Sequence, residues 1–257
     1  MYNTLLTSLD DSIMTITVNR PDKLNAINPE VMREIGEVVA EVNRNPEIKS
    51  AIITGAGPKA FVAGADISAF SGIQQEGFDL SRAGQEVFFS IERSAKPFIA
   101  AVNGYALGAG CELAMSCQLR LASVTAKFGQ PEVNLGLLPG YGGTQRLVQL
   151  IGRGRALEML MTAAPIDAQT AFHYGLVNQV VPADQLLEKA AEILRLINSK
   201  APLAIAGCIQ AVNAVFDETQ DGYALEAKLF GEYFATEDLK EGKNAFLEKR
   251  PANFRGR

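Results

Sequence analysis

Apolar side chains recur with two different periods near the start of the chain. Residues 13–18 alternate apolar and β-branched side chains, a pattern typical of a strand. Farther on, Asn28-Pro29-Glu30 combines a capping side chain, a proline and an acid, which predicts the first turn of a helix. The apolar residues that would share one face of this helix are Val31, Ile35, Val38, Val39 and Val42.

Strands and helices alternate in this way up to about residue 145. The predicted strands are residues 51–54, 97–102 and 119–123, and the predicted helices are residues 78–93 and 112–115. A Gly-rich turn is predicted at residues 104–110 and a Gly/Pro-rich loop at residues 129–143. This alternation indicates an α/β core.

Helical periodicity dominates after residue 145. The predicted helices there are residues 153–161, 168–174, 182–197, 203–216 and 223–235, with a short strand at residues 177–181. Residues 198–202 have the composition of a connector. The length of 257 residues allows one large domain, or one domain with a small helical appendage.

The charge balance limits the classes of partner. The chain has 29 acidic and 24 basic residues and a net charge of −5, which argues against a nucleic-acid or anionic-membrane partner. The sequence shows no bilayer-spanning apolar run and no secretory or transit signal. Its three cysteines form no CxxC pair and indicate reduced thiols, so we expect a cytoplasmic protein.

The histidine content restricts the chemistry. Because His173 is the only histidine, a multi-histidine metal site is excluded, and a Ser-His-Asp triad would have to use this residue. The sequence also lacks a phosphate-binding loop, a dinucleotide fingerprint and a nucleophile elbow. Proton transfer would therefore fall to carboxylates, lysine or tyrosine.

Two glutamates each follow a strand and a tight turn. Glu112 comes after Gly108-Ala109-Gly110-Cys111 and beside an apolar run, so we expect it to be half buried. Glu132 precedes an apolar, Gly-rich segment. Either acid alone is typical of an ordinary first-turn or capping residue. Together in one cleft they could act as a general acid and a general base, and the residues leave both interpretations open.

Small residues follow two of the predicted strands, at residues 61–67 and at Gly108-Ala109-Gly110. Small side chains let a substrate approach backbone N–H groups closely. One N–H group from each turn would form an oxyanion hole, and the second would gain from a helix N-terminus. Ordinary turn chemistry is the alternative explanation of these glycines.

In order and spacing these motifs resemble the enoyl-CoA hydratase (crotonase) family over nearly the whole chain. The segments that carry the resemblance are Asn19-Arg20-Pro21, Leu24-Asn25-Ala26, Phe128-Gly129-Gln130-Pro131-Glu132, Pro139-Gly140 and residues 61–67, 100–104, 108–114, 142–146 and 246–250. The resemblance implies a spiral of ββα units over residues 1–198. It also implies a C-terminal helical region, residues 199–257, that forms trimers, commonly paired into hexamers.

The resemblance also implies the roles of the site residues. It places the thioester oxygen between the N–H groups of Ala65 and Ala109, and it makes Glu112 and Glu132 the two catalytic glutamates. Many relatives carry Gly where this chain has Ala109. Because the donor is a backbone group, Ala should serve there if its methyl group clears the substrate.

Further positions match residues that support catalysis or bind CoA. Gln130 and Gly140 match positions that orient Glu132 and contact the catalytic water, respectively. The positions implied to bind CoA are Lys23, Leu24, Ala26, Lys59, Ala63, Asp66, Ile67, Phe246 and Lys249, of which the last two can reach the CoA of a neighbouring subunit. Ser68 stands where some relatives place Lys, which leaves the phosphate contacts open.

The presence of both glutamates favours reversible hydration of a short- or medium-chain 2-trans-enoyl-CoA to the 3-hydroxyacyl-CoA. The alternatives are a double-bond isomerase or carbon–carbon lyase of the same family, and a non-catalytic protein that binds CoA esters. The resemblance implies no metal or redox cofactor. Coenzyme A is part of the substrate. The expected partners are the acyl-CoA thioester and further copies of the chain, and the acyl-pocket wall is expected to include residues 69–86.

Overall fold

Two β-sheets and a set of helices form the chain. The computed structural model describes residues 2–70 and 72–257, so Met1 and Ser71 lie outside the described residues. Within these ranges the strands are β1 (Leu5–Asp10), β2 (Ile13–Val18), β3 (Ser50–Gly55), β4 (Ala60–Ala63), β5 (Phe98–Val102), β6 (Tyr105–Leu107), β7 (Leu119–Ser123), β8 (Lys127–Gly129), β9 (Ile166–Asp167) and β10 (Gln179–Val181). The α-helices are α1 (Pro29–Arg44), α2 (Gln74–Glu92), α3 (Ala109–Ser116), α4 (Gly143–Ile151), α5 (Arg153–Thr162), α6 (Ala168–Tyr174), α7 (Leu186–Asn198), α8 (Pro202–Ala214), α9 (Gly222–Tyr233) and α10 (Glu237–Glu248). Short 3₁₀ helices lie at Pro21–Lys23, Ile67–Ala69, Glu132–Leu135 and Ala183–Gln185.

The chain passes repeatedly from a larger sheet to a smaller one. The larger sheet has the order β1-β2-β3-β5-β7-β10 and is parallel except for the β1–β2 hairpin. The smaller sheet has the order β4-β6-β8-β9 and is parallel except for β9. Each of β3, β5 and β7 is followed by a strand of the smaller sheet. The carboxyl ends of β4 and β6 therefore lie side by side, with Ala63 paired to Leu107.

The central strands of the larger sheet are covered on both faces. Along β3, Ile53 joins the main apolar core with α1 and α2, whereas Ile52 packs with α7. All six residues of β3 are consequently buried, as expected for a parallel strand between two layers of helices. The side chain of Asn28 caps α1 by accepting a hydrogen bond from the Val31 N–H at 2.8 Å, at the predicted helix start.

The α/β prediction is confirmed, and β7 has the predicted bounds. The predicted turn at residues 104–110 is wrong in its centre, because β6 forms there between β4 and β8. The predicted loop at residues 129–143 contains the 3₁₀ helix Glu132–Leu135, and the helix predicted from residue 78 begins at Gln74. The sequence analysis did not find β1, β4, β8, β9, α4 or α10. Several of these are strands of two to four residues, too short to show a period of their own.

Helix α3 lies against β4 through Gly110. A Cβ atom at this position would lie 1.9 Å from the carbonyl oxygen of Val62, far inside van der Waals contact. Any side chain larger than hydrogen would push α3 away from β4. Because Ala109 begins α3 and Ala63 ends β4, this close approach sets the distance between the two turns that follow these strands.

We expect Gly110→Ala to destabilise the fold by roughly 1–3 kcal/mol, because the added methyl group overlaps a backbone oxygen that cannot move alone. Urea denaturation measures the change. The matched control is Gly77→Ala in α2, where no atom lies within 4 Å of the added Cβ. That variant should gain up to about 1 kcal/mol from helix propensity. Equal stability changes in the two variants would contradict the close contact at Gly110.

Candidate active site

Two residues that closely follow β4 and β6, Ala65 and Ala109, have backbone N–H groups without an acceptor among the described residues. Hydrogen bonds of 2.9 Å from Ile27 N–H to Gly64 and of 2.7 Å from Asp66 N–H to Ile27 hold the residues on either side of Ala65. Among the described residues, no acceptor binds the N–H group of Ala65 or that of Ala109, the first residue of α3. These two N–H groups are available to a ligand, and their role as an oxyanion hole stays a prediction.

Glycines make the approach of these two turns possible. Gly64 and Gly108 have φ values of 109° and 50°, in the region that favours glycine. A Cβ atom on Gly108 would lie 2.5 Å from Oε1 of Glu132 and 3.8 Å from the Cα atom of Gly64. The turn before α3 thus contacts both the other turn and the carboxylate of Glu132.

Glu112 lies inside the protein, on the first turn of α3. Its side chain is 1% exposed, so the expectation of half burial is wrong. Oε1 accepts hydrogen bonds from the backbone N–H groups of Tyr141 at 2.8 Å and Gly143 at 2.7 Å. Burial raises the pKa of Glu112 to about 7, because the two N–H groups only partly replace the lost hydration. A carboxyl group with this pKa can accept or release a proton near neutral pH.

Glu132 begins the 3₁₀ helix Glu132–Leu135 and is partly buried. The side-chain amide of Gln130, in the orientation that satisfies its hydrogen bonds, donates from nitrogen to both carboxylate oxygens, at 3.2 and 3.3 Å. Burial raises the pKa of Glu132 as well. Gln130 thus contacts both carboxylate oxygens of Glu132, and its part in orienting this acid for catalysis stays a prediction.

The groups that bind the two carboxylates are neighbours. A Cβ atom on Gly143 would lie 2.8 Å from the side-chain amide of Gln130 and 2.9 Å from Oε1 of Glu112. The negative charge of Glu132 also raises the pKa of Glu112, after the larger effect of burial. The two acids and the two turns that carry Ala65 and Ala109 therefore belong to neighbouring segments.

Gly140 is hydrogen-bonded to α2. Its carbonyl oxygen accepts hydrogen bonds from the hydroxyl of Ser81 at 2.5 Å and the amide of Gln85 at 3.1 Å. It precedes Tyr141, whose N–H group binds Glu112. The structure therefore places Gly140 next to the loop that holds Glu112, and its contact with a catalytic water stays a prediction.

Most of the residues predicted to bind CoA line one edge of the Ala65 turn. The N–H group of Ala63 donates to the carbonyl of Leu24 at 3.0 Å. The guanidinium of Arg20 joins the two segments by donating to the Ala26 carbonyl at 2.6 Å and to Asp66 at 3.2 Å. The exposed members of this edge are Lys23, Leu24 and Ile67.

Three predicted CoA residues lie elsewhere. Lys59 precedes β4, at the opposite end of this strand from Ala65, and its carbonyl accepts a hydrogen bond from Tyr105 N–H. Phe246 is exposed near the end of α10, and Lys249 follows this helix in a left-handed conformation. No hydrogen bond or ion pair joins Phe246 or Lys249 to the two acids in the described part of the chain. Their contact with CoA stays a prediction for an assembled protein.

The sequence analysis assigned no role to several residues that build the site. Arg20 fixes the Ala65 turn, and the N–H groups of Tyr141 and Gly143 hold Glu112. Arg20 lies in a segment already identified by its resemblance, which was a usable signal. The N–H donors carry no such signal, because any residue except proline supplies one. Among the described residues there is neither a group of three or more His, Cys, Asp or Glu side chains able to hold a metal ion nor a helix long and apolar enough to cross a membrane.

We expect Glu112→Gln to stabilise the protein increasingly as the pH rises. The folded-state pKa of about 7 exceeds the ordinary value of 4.5, so the free energy of unfolding of the parent falls as the pH rises between these values. Glutamine cannot ionise and escapes this loss. The advantage of the variant should therefore grow by roughly 2 kcal/mol between pH 5 and pH 8, as measured by urea denaturation.

Glu34→Gln is the matched control for this measurement. Glu34 is 2% exposed, yet hydrogen bonds from the Thr4 hydroxyl and from backbone N–H groups outweigh burial and lower its pKa. Its ionised form therefore stabilises the fold above its ordinary pKa, and this variant should lose stability relative to the parent at pH 8. Stability curves for Glu112→Gln and the parent that run parallel from pH 5 to pH 8 would show that the pKa of Glu112 is not raised.

Comparison with known proteins relates this site to one family. The model of the enoyl-CoA hydratase/isomerase family matches residues 8–257. The chain is 47% identical over 255 residues to a crotonyl-CoA hydratase of Syntrophomonas wolfei, covering 98% of each chain. It is 45% identical over 250 residues to a short-chain-enoyl-CoA hydratase of Clostridium acetobutylicum, covering 96% of each.

Solved structures agree with the sequence comparison. An enoyl-CoA hydratase from Bacillus anthracis superposes with a TM-score of 0.94 at 35% identity, over 99% of this chain and 100% of that one. A second, from Geobacillus kaustophilus, gives a TM-score of 0.93 at 40% identity, over 100% of this chain and 99% of that one. With the family model, the relatives and the fold in agreement over nearly its whole length, the chain belongs to the enoyl-CoA hydratase/isomerase family.

Proposed function

We propose that the protein catalyses the reversible addition of water to a 2-trans-enoyl-CoA, giving the 3-hydroxyacyl-CoA. The observation that supports this proposal is that two carboxylates with raised pKa, Glu112 and Glu132, lie in segments next to the turns of Ala65 and Ala109, whose backbone N–H groups bind no acceptor among the described residues. Relatives named as hydratases of crotonyl-CoA and of short-chain enoyl-CoA support a short acyl chain.

The backbone donors act on the thioester. Attack of water at C3 of the conjugated alkene moves negative charge onto the thioester oxygen. The N–H groups of Ala65 and Ala109 bind this oxygen and stabilise the enolate-like transition state, each contributing roughly 3–4 kcal/mol by comparison with other oxyanion holes. The donors are already in place before the reaction, so little reorganisation is required.

The two glutamates move the protons. Glu112 in its ionised form takes a proton from the attacking water, and its pKa of about 7 suits it to accept this proton and later to release it. Glu132 in its protonated form delivers a proton to C2. Dehydration of the 3-hydroxyacyl-CoA reverses both transfers. The proposed reaction uses no metal or redox cofactor, because the two glutamates transfer the protons and the backbone N–H groups stabilise the negative charge. Coenzyme A enters as part of the substrate.

Coenzyme A is proposed to lie along the edge formed by Lys23, Leu24, Ala26, Ala63, Asp66 and Ile67, with Lys59 toward its phosphates. The hydrogen bond between Ala63 and Leu24 makes this edge continuous with the Ala65 turn, where the thioester would bind. The exposed side chains of Leu24 and Ile67 provide apolar surface for the adenine or the pantetheine chain.

The chain is further proposed to form homotrimers, or dimers of trimers, through a region at residues 199–257, with residues 1–198 forming a spiral of ββα units. Large apolar side chains on α9, directly after it and on α10 support this assembly, because Phe230, Phe234 and Phe246 are exposed in the single chain. Phe246 and Lys249 would then contact the CoA of a neighbouring subunit. The buried free thiols of Cys111 and Cys117 suit the proposed cytoplasmic location.

We expect Glu112→Gln and Glu132→Gln each to lower hydration of crotonyl-CoA by about 10²–10⁴-fold, because each removes one proton-transfer group. Loss of the alkene absorbance measures the rate, and calorimetry with a saturated acyl-CoA should show binding within a few-fold of the parent. Glu34→Gln, which alters a buried carboxylate on α1, should keep parental turnover.

Product analysis decides between the members of the family. The parent enzyme given crotonyl-CoA should form 3-hydroxybutyryl-CoA. A parent that only shifts the double bond of a 3-enoyl-CoA would be an isomerase, and one that binds thioesters without turnover would be a binding protein. Either result would overturn the proposed hydration.

We expect Phe230→Glu to shift the assembly toward monomers, because a charge replaces an aromatic ring that is 69% exposed in the single chain and lies 5.8 Å from the ring of Phe234. Light scattering after size-exclusion chromatography measures the mass. Leu196→Glu, at an exposed apolar residue on α7 outside the proposed region, is the control and should keep the parental mass. A parent that is monomeric would refute the proposed assembly.

A further inference from the structure

The position of Glu112 depends on one short stretch of backbone. Both N–H groups that bind its Oε1 belong to residues 141–143, immediately before and at the start of α4. A shift of this stretch would remove both hydrogen bonds together. Whatever holds residues 141–143 therefore holds the carboxylate.

Arg146, on the first turn of α4, holds this stretch. Its side chain is 5% exposed, and Nη1 donates to the carbonyl of Tyr141 at 2.8 Å. The guanidinium also lies against Gly142, where a Cβ atom would be 2.3 Å from Nη1. Gly142 has a φ of 101°, so glycine is required there both by the backbone and by the arginine. Arg146 thus contacts the backbone between the two donors to Glu112.

Two other nitrogens of the Arg146 guanidinium donate hydrogen bonds to helix α2. Nε and Nη2 donate to Oε2 of Glu92 at 2.9 and 2.6 Å. Glu92 ends α2, and its carbonyl oxygen accepts hydrogen bonds from the side chains of Gln118 and Asn213, so this end of the helix is itself held. The ring of Tyr141 packs edge-on against Phe88 of the same helix, with centroids 5.7 Å apart. The loop is therefore fixed to α2 at two points.

We propose that Arg146, oriented by Glu92, is a positioning residue for Glu112: it acts through the Tyr141 carbonyl to keep two backbone N–H groups on the carboxylate. The inference rests on the proposed function, in which Glu112 is the general base. It assigns a part in catalysis to an ion pair whose hydrogen bonds go to the Tyr141 carbonyl and within the pair, not to the Glu112 carboxylate.

The positive charge of Arg146 should affect the pH dependence of the reaction, which a purely structural residue would not do. The groups that face Glu112 are Glu132 from the 3₁₀ helix, Arg146 from α4, the phenol of Tyr141 and, on its own helix, Cys111. Burial raises the pKa of Glu112, and the positive charge of Arg146 lowers it. Removing that charge should raise this pKa, so the acidic limb of kcat/KM, which reports ionisation of the base in the free enzyme, should move to higher pH.

The test uses the full-length protein and crotonyl-CoA. Arg146→Met should lower kcat by about 10–100-fold, since small displacements of catalytic groups have effects of this size, with KM changed by less than about threefold. Its acidic limb should move to higher pH. Arg146→Lys keeps the charge but cannot reproduce the forked hydrogen bonds, so it should keep the parental limb with a lowered kcat. Glu92→Gln keeps Arg146 charged and should lower kcat several-fold without moving the limb.

Arg120→Met is the matched control. Arg120 is 5% exposed and donates to the carbonyls of Leu176 and Cys117, away from residues 141–143. This variant should lower the melting temperature without moving the acidic limb. Parental kcat and pH profile in Arg146→Lys, Glu92→Gln and a folded Arg146→Met would overturn the inference, and so would an equal shift of the limb in Arg120→Met.

A second readout separates this inference from the proposed function. Difference infrared spectroscopy of each protein against its Glu112→Gln counterpart follows protonation of the Glu112 carboxyl without any turnover. If the parent does not hydrate crotonyl-CoA, the proposed function fails, and the infrared titration still decides the coupling. A Glu112 titration that is the same in the parent and in Arg146→Met would then refute it.

Discussion

The site depends on burying a carboxylate, a group that is normally stabilised by hydration. Glu112 is almost fully buried, and its compensation comes from two backbone N–H groups on one oxygen. This compensation is incomplete, so the carboxyl group holds its proton up to about neutral pH. A surface glutamate would be ionised there, and a glutamate with stronger hydrogen bonding would be too weak a base. The proposed chemistry follows from this intermediate degree of stabilisation.

The two sheets serve this arrangement by bringing distant segments together. The larger sheet and the helices on both its faces provide the rigid core. The shorter strands of the smaller sheet end in tight turns, and the pairing of β4 with β6 brings the turn before Ala65 close to the turn before Ala109. Glycine at positions 108 and 110 allows the turns and α3 to approach more closely than side chains would permit. The fold thus brings the two turns with their backbone donors together, and the two acids lie in neighbouring segments.

The sequence predicted the parts of this structure whose signals are local. The cap at Asn28, the strand at residues 119–123 and the α/β alternation depend on neighbouring residues, and all are present. The burial of Glu112 was not predicted, because its partners lie 29 and 31 residues farther along the chain and are backbone groups. The same holds for Arg20, whose partner Asp66 lies 46 residues away. Motif resemblance singled out both glutamates as candidates, whereas the groups that shift their pKa values are seen only in the three-dimensional contacts.

The carboxylates of Glu112 and Glu132 differ in burial and in the hydrogen bonds they accept. This difference affects which of the two residues could be replaced during evolution at the lower cost in stability. Replacing Glu112 by an apolar residue would leave two buried N–H groups without an acceptor, a cost of roughly 1–3 kcal/mol for each. Glu132 is more exposed, and its carboxylate accepts hydrogen bonds from the side-chain amide of Gln130 and from its own backbone N–H group, so its loss leaves one backbone donor, at a partly exposed residue. Loss of Glu132 should therefore cost less stability than loss of Glu112, and mutational drift should reach position 132 first. A descendant of this chain with new chemistry would most easily keep Glu112 and carry a different residue opposite it.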